Sequence, residues 1–340
     1  MKVLITGVTG QDGSLMADYL LNNTDAEVIG AVRRLSVPNH SNITHLKGNP
    51  RFRLINLDVT DPESVSYAVK SEKPTHYINF AANSFVGTSW EMPVNHFQTN
   101  TLSVLYSLEA IRKYSPATRF YSAGSSEQFG DVDYSPQDIN HPFKPRSPYG
   151  ASKCAAHHLV KVYRESYALY AVQGILFNHE GIRRGEEFVT RKITKSVARI
   201  KKAMDNDQSF EPLVLGNLDS KRDWSDAEDF VRGIWRMLNR IMPKDFVLAS
   251  NECHSIRDFV NLSFNTLGIE GEWSGSGLDE VLKDKEGRVL VEISDRFFRP
   301  AEVDLLMGDN REALEDLGWE PKTSFEDLVK KMTEYDYNQA

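Results

Sequence analysis

The sequence predicts an α/β fold: a doubly wound parallel sheet with a smaller, interleaved C-terminal lobe. Three observations carry that prediction. Over the first half of the chain, short β-branched runs alternate with amphipathic stretches of helix length, the pattern of parallel strands joined by crossover helices. A glycine-rich turn follows the first run at once. After residue 178 the alternation weakens and basic residues cluster, as RRGEEFVTRKITKSVARIKK over 183–202.

Taken in order, KVLIT (2–6) reads as a strand, SLMADYLLNN (14–23) as a helix and EVIGAV (27–32) as a strand. FRLINLDV (52–59) is the next strand, PESVSYAVKSE (62–72) a helix and HYINFAA (76–82) a strand. A helix over 96–113 precedes the strand TRFYSAG (118–124). Pro145 and Pro148 introduce a long helix over 149–170, and VQGILF (172–177) follows as a strand. Beyond it come LVLGN, a DAEDFVRGIWRML helix and FVLAS (246–250), which is expected to rejoin the main sheet. Residues 1–178 are therefore expected to form one domain with that late return strand. Residues 179–340 are expected to form mainly the lobe.

Composition narrows the function classes. At 40% hydrophobic and 26% charged residues the chain is an ordinary globular protein with a sizeable core. A net charge of −8 argues against nucleic-acid binding, and no apolar run approaches the roughly 20 residues that cross a bilayer. Cys154 and Cys253 lack C-x-x-C spacing, so reduced thiols and no metal site are expected. The opening MKVLITG is already a strand, which leaves no signal peptide and predicts a cytoplasmic protein.

The glycine-rich turn is GVTGQDGS, with Gly7, Gly10 and Gly13 spaced G-x-x-G-x-x-G between a strand and a helix. Small residues let the backbone approach a pyrophosphate, and the amides at the helix N-terminus meet its charge. This predicts a Rossmann dinucleotide site that includes Gln11 and Asp12. The second strand ends AVRR, where an acidic residue for a ribose 2′-hydroxyl is usual; Arg33 and Arg34 suit a 2′-phosphate instead, so NADP is expected. Asp58 and Val59 are placed to meet the adenine, and Asn79 to Ala82, with Ala81 among them, to line the cleft.

Tyr149 and Lys153, in YGASK, stand at i and i+4 and share one helix face. An ammonium near a phenol favours the phenolate, which would make Tyr149 a usable base. With the glycine turn and the serine-bearing strand end before it, this pattern resembles the short-chain dehydrogenase/reductase superfamily in its extended, nucleotide-sugar-modifying branch. Within that branch, dehydratases add an acidic residue two positions after the catalytic hydroxyl, as Ser125 and Glu127 stand in AGSSEQFG. Oxidation at sugar C4 acidifies the C5 hydrogen. A carboxylate can then remove that hydrogen and protonate the departing C6 hydroxyl.

Over essentially its whole length the chain is most similar to the GDP-mannose 4,6-dehydratase family. The stretches TGVTGQDGS, VRR, RSPYGASK, ILFNHE, RRGEEFVTRKI, LGNLDSKRDW, DFV, SIRDFV and FRPAEVD carry the likeness. The resemblance implies that Ser84, Asn178, Val189, Lys192, Leu215, Gly216, Arg222, Arg299 and Glu302 surround a GDP-sugar. It places Arg184 with Arg33 and Arg34 at the phosphates of NADP; His179, in FNHE, is expected at the cofactor, with a structural role as the alternative. It also implies a homodimer or homotetramer in which the VRR loop is a subunit contact. Arg191, Lys192, Arg222 and Arg299 are in addition cations suited to a diphosphate in an acidic chain.

The chain departs from the family where S-T-S-E becomes Gly124-Ser125-Ser126-Glu127, and where A-Q-S-H-V becomes AANSFV with Asn83 and Phe85. Gly124 is expected to loosen the turn and free space near the sugar. Three alternatives stay open at this point. One is the same dehydration on a larger substrate such as a GDP-heptose. The second is a C4 reductase or epimerase of the branch, in which Glu127 would be idle. The third is a redox-sensing regulator without catalysis. His157, His158, Cys154, Trp224 and Trp235 read as packing residues, and 312–317 as a solvated helix face.

Overall fold

The structure, a computed structural model, describes residues 1–297 and 305–340. The first half builds β1 (Lys2–Thr6), α1 (Gln11–Asn23), β2 (Glu27–Val32), β3 (Phe52–Asn56), α2 (Pro62–Glu72) and β4 (His76–Asn79). It continues with α3 (Pro93–Phe97), α4 (Ser103–Tyr114), β5 (Arg119–Ala123), α5 (Pro148–Tyr167) and β6 (Ala171–Leu176). The second half adds β7 (Asn178–Glu180), α6 (Val189–Asp205), β8 (Leu213–Leu215), β9 (Lys221–Arg222), β10 (Trp224–Asp226), α7 (Ala227–Leu238) and β11 (Phe246–Leu248). Last come β12 (His254–Ser255), α8 (Ile256–Thr266), β13 (Gly271–Ser274), β14 (Val281–Asp284), β15 (Val289–Ile293), β16 (Leu305–Leu306), α9 (Arg311–Leu317) and α10 (Phe325–Gln339).

Seven strands in the order β11-β6-β5-β4-β1-β2-β3 form one sheet, and every neighbouring pair is parallel. The winding reverses between β1 and β4, which opens a crevice beyond the strands' C-terminal ends. Met16 and Leu20 of α1, with Phe230 and Ile234 of α7, cover one face. Val65, Leu108, Ile111 and Val160, from α2, α4 and α5, cover the other. Burial on both faces is why β6 is buried throughout, while edge strand β3 exposes Arg53, Leu54 and Asn56.

In the lobe, β13, β14 and β15 form an antiparallel ribbon, and β8 joins β15 in parallel. Helices α6, α8 and α10 close over a core that includes Ile193, Val197, Phe259, Leu328 and Met332. Among the described residues no helix is long and apolar enough to cross a membrane.

The helix expected over 96–113 is interrupted. Between α3 and α4 the turn Gln98–Leu102 is π-helical. A widened turn inserts a residue and re-aims side chains, and it recurs at functional sites. Here it aims the buried Asn100 and Thr101 at α5: Asn100 Nδ2 donates to Ser152 Oγ (3.1 Å) and Thr101 Oγ1 to Ser152 O (2.7 Å). The strand expected over 52–59 stops at Asn56, because the Asp58 carboxylate accepts from Thr60 N and folds a turn.

Candidate active site

A cleft of about 630 Å³ opens at the C-terminal ends of β1, β4, β5 and β6. The glycine turn forms one wall. Gly7 has φ +70°, and a Cβ on Gly13 would lie 2.2 Å from Gly7 O, so the loop closes on itself only with glycine at both positions. The loop therefore leaves a bare backbone surface into which a side chain would otherwise project, which fits a dinucleotide. The buried Gln11 Oε1 lacks a hydrogen-bond partner among the described residues and lies in the same wall.

Two capping motifs set the side chains expected to be catalytic. Ser147 caps α5 by accepting from Gly150 N (3.0 Å), with Pro148 next, and this fixes Tyr149 and Lys153 in the first turns. Ser125 caps a short 3₁₀ turn over Ser126–Gln128: Glu127 N donates to Ser125 Oγ (3.3 Å), and Ser125 N donates to Gln128 Oε1 (2.9 Å). The two motifs meet closely, since a Cβ on Gly150 would stand 2.6 Å from Glu127 O. Ser125, Glu127, Tyr149 and Lys153 all line the cleft.

Electrostatics at this corner differ from the sequence expectation. Burial pushes the Tyr149 phenol up to about 12, against a hydrogen bond from Ser125 that lowers it; the Glu127 charge raises it further. Burial also pulls the Lys153 ammonium down to about 8, against the opposing pull of Asp12. Lys153 Nζ donates to Ala123 O (2.8 Å) and sits 5.8 Å from the Tyr149 ring centroid. Desolvation thus disfavours the charged form of both groups, against the phenolate expected from the sequence.

Of the residues expected at a cofactor, Gly7, Gly10, Gln11, Asp12, Gly13, Arg33, Asp58, Val59, Ala81, His179 and Arg184 line the cleft. Arg34 is exposed and does not. Ser84, Asn178 and Arg222 line it too. Val189, Lys192, Leu215 and Gly216 lie apart on the lobe, where Lys192 Nζ donates to Val214 O (2.7 Å) and stands 3.4 Å from the Phe297 ring centroid. Arg299 and Glu302 fall outside the described residues. Arg191 does not line the cleft: its guanidinium pairs with the buried Asp336 (2.7 Å), tying α6 to α10. Sequence reasoning missed Phe188, which precedes α6, lines the cleft, and meets Phe85 edge-to-face at 5.7 Å. It also missed His96, whose buried ring stands edge-on to Tyr149 at 6.2 Å. No motif marks either residue.

A sequence model of the family described as GDP-mannose 4,6 dehydratase matches residues 4–332. The chain belongs to the GDP-mannose 4,6-dehydratase family. It is 44% identical to the GDP-mannose 4,6 dehydratase of Drosophila melanogaster, over 98% of this chain and 85% of that one. It is 42% identical to the Yersinia enterocolitica enzyme, over 100% and 94%, and 42% identical to the Homo sapiens enzyme, over 98% and 90%. Among solved structures, dTDP-glucose 4,6-dehydratase from Bacillus anthracis, in complex with NAD, superposes with a TM-score of 0.81 at 20% identity, covering 100% of this chain and 97% of that one. RMD from Pseudomonas aeruginosa, complexed with NADPH, gives 0.79 at 21%, covering 100% of both chains. At such identities these two likenesses speak for the fold alone.

In this chain Gly124 proves to be a packing requirement. A Cβ there would meet Gly174 O at 2.7 Å, and Gln128 Oε1 and Gln173 Oε1 each at 2.8 Å. Gly124 therefore does not free space toward a sugar; the glutamines behind it fill that space. Asn83 is likewise occupied: its backbone N donates to Asn100 Oδ1 (2.9 Å) and its O accepts from Asn100 Nδ2 (3.1 Å).

Proposed function

We propose that this protein converts GDP-mannose to GDP-4-keto-6-deoxymannose and water. The observation that carries the reading is Glu127 in the cleft, held by one capping turn beside Ser125 and packed against the helix that presents Tyr149. Ser125 and Tyr149 receive the C4 hydroxyl, and Tyr149 withdraws its proton. Glu127 takes the C5 proton and delivers it to the C6 hydroxyl, which leaves as water. The proton withdrawn by Tyr149 balances the one restored at C5. When bound, the nicotinamide supplies a hydride acceptor at C4 and the donor at C6, so the reaction has no net redox change.

We further propose NADP as that cofactor, held by the Gly7–Gly13 loop, Asp58, Val59, Ala81 and Arg184. Arg33 offers a cation to a 2′-phosphate where the NAD-specific pattern has an acid. Ser84, Asn178 and Arg222 would face the GDP-sugar, and the Lys192 group would follow from the lobe. Purified protein supplied with GDP-mannose and NADP is expected to form a product lighter by one water, without NADPH build-up. Mass spectrometry showing intact GDP-mannose with both NADP and NAD would refute the reading.

Leu35 and Val37 expose apolar side chains beside Arg33 and Arg34, which supports a subunit contact in that loop and hence a homodimer or homotetramer. Light scattering that returns the 38.6 kDa monomer mass would overturn the assembly. The free thiols Cys154 and Cys253 are in keeping with a cytoplasmic setting.

A further inference from the structure

Asp12 poses an electrostatic problem. It lies in the first turn of α1, where backbone amides face the cleft, and a bare carboxylate there would repel a pyrophosphate. The residue in direct contact with its charge is His179. His179 Nε2 is 2.9 Å from Asp12 Oδ2, and His179 Nδ1 is 2.7 Å from Phe177 O. Both ring nitrogens therefore face acceptors. A neutral imidazole has a single N–H and would leave one of these contacts as lone pair against lone pair; the doubly protonated ring satisfies both. The ring also stacks on Phe230 at 4.7 Å and 16°. Gln11 Nε2 completes the joint by donating to His179 O (3.0 Å) and Asp12 Oδ1 (3.1 Å).

We propose that His179 works as an imidazolium whose charge offsets Asp12, and that this pairing lets an anionic dinucleotide bind over the glycine loop. The second half rests on the dinucleotide reading above. His179 is thus a positioning residue that acts through Asp12.

The surroundings agree. Burial drives His179 down, but the charge and hydrogen bond of Asp12 outweigh it and leave His179 above its ordinary value. Burial drives Asp12 up, but His179, Arg184 and Gln11 carry it below the usual carboxylate range. Most of the neighbouring charges have partners of their own. Arg184, which opposes a charged His179, is matched by Glu180 (2.9 Å). Of the acids near α7, Asp226 and Glu228 bond Lys331, and Asp229 bonds Arg232 and the backbone of Lys322 and Thr323. From β5 the Tyr121 hydroxyl, and from α5 Tyr149 and Lys153, sense Asp12. Side-chain exposures of 12% for His179 and 22% for Asp12 leave the pair poorly screened yet in contact with the cleft.

Two measurements test this separately. In ligand-free protein with ¹³C-labelled histidine, the ring signal missing from His179→Gln is expected to lose its proton at a higher pH than a free histidine in the same buffer. A ring that titrates at or below the free histidine overturns the pairing whatever binds the cleft. In fluorescence titrations with NADPH at pH 6.5, His179→Gln is expected to weaken binding on the order of tenfold, the worth of one pKa unit of charge interaction. Adding Asp12→Asn to that variant removes the uncompensated charge and is expected to restore affinity; a further loss overturns charge compensation. An imidazolium in a protein that binds no NADPH at any pH would instead overturn the dinucleotide reading, together with the second half of the proposal.

Discussion

Glu127→Gln will oxidise the sugar at C4 and stop there. Glutamine keeps the shape and the hydrogen-bonding oxygen of glutamate but cannot accept the C5 proton at neutral pH. The turn that carries residue 127 survives the change, because its cap uses the backbone N of Glu127 on Ser125 Oγ and the side chain of Gln128 on Ser125 N. Ser125 and Tyr149 therefore stay in place, and the elimination proposed for Glu127 loses its base. The expected loss in water release is about 10²–10⁴-fold, the usual worth of a positioned general base. A single turnover should leave reduced cofactor and an undehydrated keto sugar, visible by absorbance and by mass. Full dehydration by the variant would remove Glu127 from the mechanism.

Sequence and structure agree most closely where local chemistry alone decides. β1, β2 and α2 begin and end at the expected residues, because alternation or a capping Asp61–Pro62 pair sets their limits within a few positions. The glycine turn and Y-x-x-x-K reach one cleft for the same reason: each is a short-range pattern on an element that a parallel sheet orients. What stayed hidden depends on distant partners. The π-helical turn serves Ser152, about fifty residues later in the chain, and nothing local to Gln98–Leu102 announces it. Arg191 reads as a phosphate ligand until Asp336 arrives from the last helix. Gly124 reads as added room until Gln128 and Gln173 are seen behind it. A cation or a gap in a sequence has no meaning until the groups that neutralise or fill it are known.

Tyr149→Phe should lower C4 oxidation by about 10²–10⁴-fold while the fold stays intact, since phenylalanine keeps the buried ring and removes only the reacting oxygen. The pH profile gives the sharper test of the same corner. On the proposed mechanism the rate depends on the Tyr149 phenolate and the Lys153 ammonium together, yet burial sets the phenol at about 12 and the ammonium at about 8. The order is inverted relative to an ordinary base and acid pair. Below pH 8 the ammonium is intact, and each unit of pH yields about tenfold more phenolate, so kcat/KM climbs. Above pH 8 the gain in phenolate is cancelled by loss of ammonium, and the profile turns flat instead of falling. Lys153→Arg holds its charge through this range, so its profile, whatever its absolute height, should keep climbing past pH 8. A wild-type curve without a break near pH 8, or an arginine variant that breaks at the same pH, would show that Lys153 does not control the ionisation of Tyr149.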